Sequence, residues 1–207
     1  MDVRDDAGAK RRMRILMVAA RYYPYMGGVE AHTHEVARQL VARGQSVTVL
    51  STDPSGRHAA EESLDGIEVL RVRTWPKKGD YYFAPAIAGT ITSGAWDIVH
   101  VQGYHTFVAP LAMAAALRRG IPFVITFHSG GHSSRLRNSF RRIQHGLLQP
   151  MIRRAHQLIA VSEFEADFFS SRLRIARERF AVIQNGARLP KPNPGGSCDP
   201  GGFDRPA

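Results

Sequence analysis

Two adjacent glycines, Gly27 and Gly28, lie between a buried apolar run and an amphipathic stretch. The run from Arg14 to Ala20 predicts a strand, the residues from Arg21 to Met26 a loop, and the letters GGVE the entry to a helix. At the first strand-to-helix crossing of an open α/β sheet, paired glycines let the backbone approach a ligand and direct N–H groups at it. The pattern predicts an anion or diphosphate site. A tight turn without a ligand explains the same glycines equally well.

The elements that must position these glycines alternate between strand and helix. Strands are predicted at Arg14–Ala20, Ser46–Leu50, Ile67–Val72, Ile98–Val101, Phe123–Phe127, Leu158–Val161 and Phe180–Ile183. Helices are predicted at Val29–Arg43, Pro85–Ser93, Phe107–Arg119, Arg135–Gln149 (which Pro150 interrupts or ends) and from the N-cap Ser162 to Arg172, with loops at Asp53–Gly66 and Arg73–Tyr82. Such alternation requires a mainly parallel sheet covered on both faces. The sequence therefore predicts one doubly wound α/β domain.

Polar residues follow each predicted strand. In open α/β sheets ligands bind outside the carboxyl ends of the strands, so these residues are the candidate site. They are Arg21 with Gly27 and Gly28, then Gln102 to His105, then His128, then Ser162 with Glu163, and finally Asn185 with Gly186. We expect them to form one polar wall.

Nine histidines raise the question of a metal site. His32 and His34 are two residues apart on a predicted helix and point in different directions, so they cannot share a tetrahedral site. His128 and His132 could converge in a loop, but no carboxylate lies near in sequence to complete a ligand set. His100 lies within a predicted strand and is interpreted as a core histidine. No metal is expected.

Charge and cysteine content narrow the class of protein. The net charge is +10, and no Asp or Glu occurs from Ile98 to Ser162, where eight arginines fall. Such a field attracts phosphates, although a solvated basic surface is the simpler interpretation. The single cysteine, Cys198, excludes an internal disulfide framework and predicts a reducing, cytoplasmic environment. Neither a secretory signal nor a membrane span is expected.

The ordered motifs of the chain resemble a known family. GGVE after the first strand is followed by SVTVL, DIVHVQG from Asp97 to Gly103, ITFH ending at His128, LIAVSE ending at Glu163, and VIQNGA from Val182 to Ala187. This order looks like the N-terminal domain of family 4 glycosyltransferases, which are retaining enzymes with two Rossmann-like domains in the GT-B architecture. The resemblance covers residues 13–189, so residues 1–12 and 190–207 are predicted to be disordered tails.

The resemblance implies roles for several residues. Gly27 and Gly28 match the family's glycine pair, which faces the donor diphosphate, and His128 matches a histidine thought to contact the transferred sugar. The alternative for His128 is a strand-end histidine that backbone groups satisfy. Gln102 and His105 are candidates for contact with the acceptor. Glu30 is interpreted as complementing the helix dipole, with orientation of the loop as the alternative.

The implied reaction needs a nucleotide-sugar as co-substrate but no metal or other cofactor. Helix N–H groups would stabilise the leaving diphosphate, and the chain has no Asp-x-Asp motif for metal chelation. The family's donor half carries two glutamates with seven residues between them, and no glutamates here have that spacing. We therefore expect an acceptor-binding half that is incomplete as an enzyme by itself and needs a C-terminal donor-binding domain or subunit. Truncation, a disrupted reading frame, a separate subunit and a free-standing module are all open.

The sequence also bears on alternative functions and partners. A non-catalytic binding module that keeps the fold is the main alternative. A dehydrogenase is disfavoured because the first crossing lacks Gly-x-Gly-x-x-Gly, and nucleic-acid binding because no recognition module is present. The predicted helix Arg135–Gln149 mixes arginine with apolar residues, so packing on the sheet is favoured, and peripheral contact with an anionic membrane and a lipid-linked acceptor is a secondary hypothesis.

Overall fold

The computed structural model describes residues 11–75, 82–128 and 146–185. Within them the strands are β1 (Arg14–Ala19), β2 (Ser46–Asp53), β3 (Glu61–Leu64), β4 (Ile67–Arg73), β5 (Ile98–Gln102), β6 (Phe123–Phe127), β7 (Gln157–Ala160) and β8 (Phe180–Val182). The helices are α1 (Gly28–Ala42), α2 (Ala86–Ser93), α3 (Val108–Arg119), α4 (described residues 146–152) and α5 (Glu163–Leu173), with a short 3-10 turn at Arg177–Arg179. The predicted tails fall almost entirely outside the described residues.

All eight strands form one sheet in the order β3-β4-β2-β1-β5-β6-β7-β8. Every neighbouring pair is parallel except β3 and β4, which are antiparallel. Strand order reverses at β1, where β2 lies on one side and β5 on the other. This is the doubly wound arrangement that the alternating pattern predicts, and the crossover beside β1 is where such sheets bind ligands.

Successive residues of β1 divide between two hydrophobic cores. Leu16 and Val18 face the core that β5, β6, α2, α3 and α5 complete. Ile15 and Met17 face a smaller core beneath α1. Because side chains alternate across a strand, an uninterrupted apolar run is what a central strand covered on both faces requires. Burial of both faces fixes the position of the strand and therefore of the loop that leaves its carboxyl end.

The predicted loop Asp53–Gly66 contains a strand, so that prediction is wrong. Residues Glu61–Leu64 pair antiparallel with β4 through the two-residue turn Asp65-Gly66, where both φ angles are positive at 52° and 77°. Asp-Gly is a favoured sequence for such a hairpin turn. The buried Arg71 holds the strand in place, because its guanidinium bonds the carbonyl oxygen of Ala59 at 3.0 Å and forms an ion pair with Glu62.

The effect of Pro150 also differs from the prediction. Helix α4 continues through Pro150 to residue 152, and the backbone N–H of Arg153 still donates to the carbonyl oxygen of Gln149 at 2.9 Å. Proline removes only its own N–H from the helical ladder, so the bonds of the residues after it survive. The rest of the predicted basic helix, residues 135–145, lies outside the described residues.

No helix in the described ranges has both the length and the apolar character needed to cross a bilayer.

Candidate active site

The carboxyl ends of β1, β5 and β6 bring several predicted site residues together. These three strands are neighbours in the sheet. Gln102 is the last residue of β5, and His128 follows β6 directly. Gly27 and Gly28 end the loop that follows β1. Neighbouring strands are only about 4.8 Å apart, so side chains at these three ends can contact one another.

A chain of hydrogen bonds links the ends of β5 and β6. His128 Nε2 donates to the side-chain oxygen Oε1 of Gln102 at 2.9 Å. The amide Nε2 of the same glutamine donates to His100 Nε2 at 3.2 Å, and the latter nitrogen also lies 2.7 Å from Thr126 Oγ1. His100 and Gln102 are 9% and 6% exposed, so the predicted burial of His100 is confirmed. Buried polar groups that satisfy one another in this way have defined orientations.

A glycine turn places His105 against the same group. Gly103 has a φ of +78°, a conformation that side chains rarely adopt, and its N–H donates to the carbonyl oxygen of Thr126 at 2.8 Å. The chain then turns back, so that Tyr104 packs on Phe127 with ring centroids 5.6 Å apart. His105 Nε2 donates to the carbonyl oxygen of His128 at 2.8 Å. The loop of Gly103, Tyr104 and His105 therefore holds the backbone of His128 in place.

His32 belongs to this group, although its position in the sequence suggests only a possible metal ligand. Its ring meets that of His128 edge to face, with centroids 4.9 Å apart and planes at 67°. His32 is four residues after Gly28 on α1, so both lie on one face of the helix, about 6 Å apart along its axis. That spacing is the sequence signal that could have identified it. His34 points elsewhere, to Tyr22 and Asp65, as predicted.

The imidazoles of His32, His100 and His128 are neutral at physiological pH. Burial, with smaller effects of the neighbouring His32, His100 and His105, lowers the pKa of His128 to about 3. Burial, with a smaller effect of His32, lowers the pKa of His100 to about 4. The pKa of His32 is lowered by burial as well. Neutral imidazole offers one donor and one acceptor, which suits the recognition of sugar hydroxyls.

The entry to α1 is organised by Glu30. This carboxylate is 5% exposed and accepts from Arg21 Nε at 3.2 Å. A methyl group added at Gly27 would lie 2.4 Å from Glu30 Oε2, so the carboxylate fills the space that a side chain there would need. At Gly28 an added methyl would meet open space. Glu30 thus lies where the helix dipole favours a negative charge and also ties the preceding loop, as both interpretations proposed.

The remaining predicted residues do not contact this group: two of them have partners in local structure, and the third is exposed. The Ser162 hydroxyl accepts from the backbone N–H of Glu165 at 3.2 Å as the N-cap of α5, as the sequence predicts. Glu163 is paired with Arg177. Asn185 is exposed and follows β8, which is two strands from β6 in the sheet. The single polar wall that the sequence predicts is in place at β1, β5 and β6 but does not extend through these three side chains.

Among the described residues, no group of three or more His, Cys, Asp or Glu side chains is arranged to hold a metal ion. The predicted pairing of His128 with His132 involves a residue outside the described ranges. The arrangement can therefore offer ligands two kinds of chemistry. Neutral imidazole and amide groups can bond hydroxyls, and the N–H groups that open α1 can bond an anion.

Comparison with known proteins defines the class. Residues 26–189 match the model of glycosyltransferase family 4, and the chain belongs to that family. Two solved structures share the fold. Anabaena HepE in complex with UDP and glucose aligns with a TM-score of 0.60 at 18% identity, over 85% of this chain and 45% of that one. A Rickettsia africae glycosyltransferase aligns with a TM-score of 0.57 at 23% identity, over 84% and 43%.

Two curated relatives are useful for comparison with this chain. The chain is 30% identical to the GDP-mannose:cellobiosyl-diphosphopolyprenol alpha-mannosyltransferase of Xanthomonas oryzae, over 91% of this chain and 50% of the relative. It is 29% identical to the phosphatidyl-myo-inositol mannosyltransferase of Mycobacterium tuberculosis, over 73% and 39%. The chain thus spans about half the length of the curated relatives, and the part that it matches in the GT-B structures is likewise about half.

Proposed function

We propose that this chain is the acceptor-binding half of a retaining glycosyltransferase and works with a donor-binding domain that holds the nucleotide-sugar. The observation that carries the proposal is the group of His32, Gln102 and His128 beside the glycines of α1, at the sheet edge where doubly wound domains bind ligands. Membership of family 4 gives this group its reaction class. The cytoplasm, where nucleotide-sugars are available, is the proposed location.

We propose that the entry to α1 faces the donor diphosphate. Negative charge grows on this leaving group during transfer, and preorganised N–H donors stabilise it without reorganisation. Both glycines are exposed, but Glu30 occupies the space beside Gly27, whereas Gly28 opens onto free space. The diphosphate would therefore approach at Gly28, close to His32 and His128. Helix N–H groups supply the charge stabilisation in this scheme, and no metal or other cofactor is invoked.

We propose a sugar acceptor linked to a lipid, supported by exposed aromatic side chains at the same edge of the sheet. Trp75, Phe83 and Phe107, here called the aromatic patch, are 74%, 40% and 50% exposed. The backbone N–H of Trp75 donates to the backbone carbonyl oxygen of Phe83 at 2.8 Å, and the ring centroids of Phe83 and Phe107 lie 6.1 Å apart. Phe107 is two residues from His105. Exposed apolar patches of this kind indicate binding of an apolar partner.

The relatives support the same acceptor class. The names of both curated mannosyltransferases specify lipid substrates, a diphosphopolyprenol in one and a phosphatidylinositol in the other. An acceptor whose sugar reaches His128 while its prenyl chain covers the aromatic patch would use both features. Peripheral contact with an anionic membrane through the arginine-rich residues 135–149 is a further prediction. Sedimentation with anionic liposomes at low ionic strength tests it, and absence of binding would contradict it.

Isothermal titration tests the proposed function. The probe is cellobiosyl diphosphate carrying a short prenyl chain, and GDP-mannose is titrated in parallel. We expect saturable binding of the probe and negligible binding of GDP-mannose. His128→Ala should weaken probe binding about three- to tenfold, the effect of one hydrogen bond, with little change in the melting temperature. Binding of GDP-mannose but not of the probe would overturn the assignment, and unfolding of the variant would make His128 a core residue.

A further inference from the structure

Gln102 is placed to act on His128 instead of on a ligand. Its side chain is buried, and both ends of its amide are engaged. The oxygen Oε1 lies 2.9 Å from His128 Nε2, and the nitrogen Nε2 lies 3.2 Å from His100 Nε2. Because the side chain is only 6% exposed and both ends of its amide already have partners, Gln102 is poorly placed to bond an acceptor sugar. This differs from the role in acceptor contact that the sequence suggests for it.

The chemistry of the amide determines which nitrogen of His128 carries the proton. An amide oxygen only accepts hydrogen bonds, so the imidazole nitrogen facing it must donate. His128 is neutral and has a single ring proton, which therefore resides on Nε2. Its other nitrogen, Nδ1, is left as an acceptor, and no described residue hydrogen-bonds to it. A ligand hydroxyl could then donate to Nδ1.

His100 and Thr126 hold the amide in this orientation. His100 Nε2 accepts from the amide nitrogen, and Thr126 Oγ1 lies 2.7 Å from the same ring nitrogen. The side chains run along β5 and β6 at adjacent registers, because His100 pairs with Val124 and Gln102 pairs with Thr126. Sheet register thus sets the distances between the members, and the network reaches the imidazole through rigid elements.

We propose that Gln102 is a positioning residue that fixes His128 in the Nε2–H tautomer, with Nδ1 held as an acceptor for a sugar hydroxyl. The acceptor role of Nδ1 rests on the proposed function, whereas the tautomer is a property of this chain by itself. The tautomer and the acceptor role of Nδ1 can therefore be disproved separately. A tautomer as proposed, with no response to the acceptor probe, would overturn only the role in sugar binding.

Nitrogen-15 NMR of the histidine rings tests the tautomer in the unliganded chain at pH 7. We expect one ring nitrogen of His128 to have the shift of a protonated nitrogen and coupling that identifies it as Nε2, with Nδ1 unprotonated. The opposite tautomer, or an even mixture of both, would overturn the proposal. The measurement needs no substitution, so it does not depend on a variant that folds.

Substitution of Gln102 sharpens the test. Gln102→Leu removes the acceptor, and we expect the ring proton of His128 to distribute over both nitrogens. Gln102→Glu keeps an acceptor and adds a negative charge, so the Nε2–H tautomer should be retained and the pKa of His128 should rise by about 1–3 units. The other groups that face this ring are the imidazoles of His32, His100 and His105. They are unchanged in both variants.

A glutamine on β7, the strand next to β6, provides the control. Gln157 on β7 is half-buried and donates to the backbone oxygens of Leu158 and Arg179 at 3.1 Å, so its amide bonds backbone groups and not an imidazole. Gln157→Leu should leave the ring shifts of His128 unchanged. If Gln102→Leu also left them unchanged, Gln102 would not be the positioning residue. If Gln157→Leu changed them as much as Gln102→Leu, the effect would be general loosening of the sheet.

Discussion

Polar residues follow the strands in both halves of the sheet's carboxyl edge, but their side chains have different partners in the two halves. At β1, β5 and β6, side chains that follow the strands contact one another, as in the bond between His128 and Gln102. At β7 and β8 they complete local structure, because Ser162 caps α5 and Glu163 pairs with Arg177. Residues that follow parallel strands therefore have different partners in the two halves of this edge.

The pH dependence of stability should give the largest effect, and between pH 6.5 and 4 we expect it to come mainly from the histidines of the first half. His128 and His100 have folded pKa values of about 3 and about 4, below the ordinary value of 6.5. The unfolded chain therefore binds more protons, and stability is complete above pH 6.5 and is lost as the pH falls towards 4. Each unit of difference is worth about 1.4 kcal/mol, so the free energy of unfolding should decrease by several kcal/mol.

Urea unfolding at pH 7, 6, 5 and 4 measures this loss. His128→Gln should flatten the dependence between pH 6.5 and 4, whereas His156→Gln, at an exposed histidine, should leave the slope unchanged. Asp53 has a lowered pKa of about 2, so its contribution disappears only below about pH 4. A slope that His128→Gln does not alter would mean that this histidine is not held neutral by the fold.

Gly28→Val should have the next largest effect, on activity and not on stability. A Cβ added at Gly28 meets no protein atom within 4 Å, and the valine side chain would occupy the space proposed for the donor diphosphate. We expect transfer by an enzyme assembled from this chain and a donor-binding domain to fall about 100-fold, the effect of losing one preorganised donor. Thermal unfolding of the variant chain should be close to wild type. Retained transfer would contradict the proposed role of the α1 entry.

Ser162→Ala should lower stability by about 1 kcal/mol, the usual cost of losing an N-cap side chain. Because the hydroxyl bonds the Glu165 N–H, its loss should not affect binding of the acceptor probe. Denaturant unfolding and isothermal titration measure the two quantities on the same sample. A loss of probe affinity without a loss of stability would place Ser162 in the site and remove the contrast between the two halves.

Glu163→Gln should have the smallest effect. Its side chain is 73% exposed, and exposed ion pairs such as that with Arg177 contribute little to stability. We expect unchanged probe affinity and an unfolding curve that overlays that of the wild type. A clear loss of affinity would mean that Glu163 leaves Arg177 and contacts the ligand.

The sequence predicts most of the fold because its signals are local. Apolar runs, helix caps and the alternation of elements determine the doubly wound sheet, and Gly120 ends α3 in the left-handed conformation as the pattern predicts. The strand Glu61–Leu64 was missed because its residues are mostly polar, although Asp65-Gly66 between Leu64 and Ile67 is a hairpin signal. The predicted end of α4 at Pro150 failed because proline removes only one bond of the ladder.

The site was less predictable because it depends on contacts between distant elements. His128, Gln102 and His105 could be selected by their positions after strands, but the contact of His32 with His128 spans 96 positions in the chain and depends on how α1 packs. Burial, which makes these imidazoles neutral, is also a property of the folded domain. Glu163 was selected by the same rule as His128, and only its partner Arg177 distinguishes the two.

Amide NMR of the chain titrated with the prenyl-linked cellobiosyl diphosphate tests the central claim most directly. The account predicts that the backbone signal of Gly28 and the ring signals of His32 and His128 change with a common affinity, while the amides of Glu163 and Asn185 stay in place. Changes confined to Glu163, Asn185 and their neighbours, with Gly28 and His128 unaffected, would contradict it.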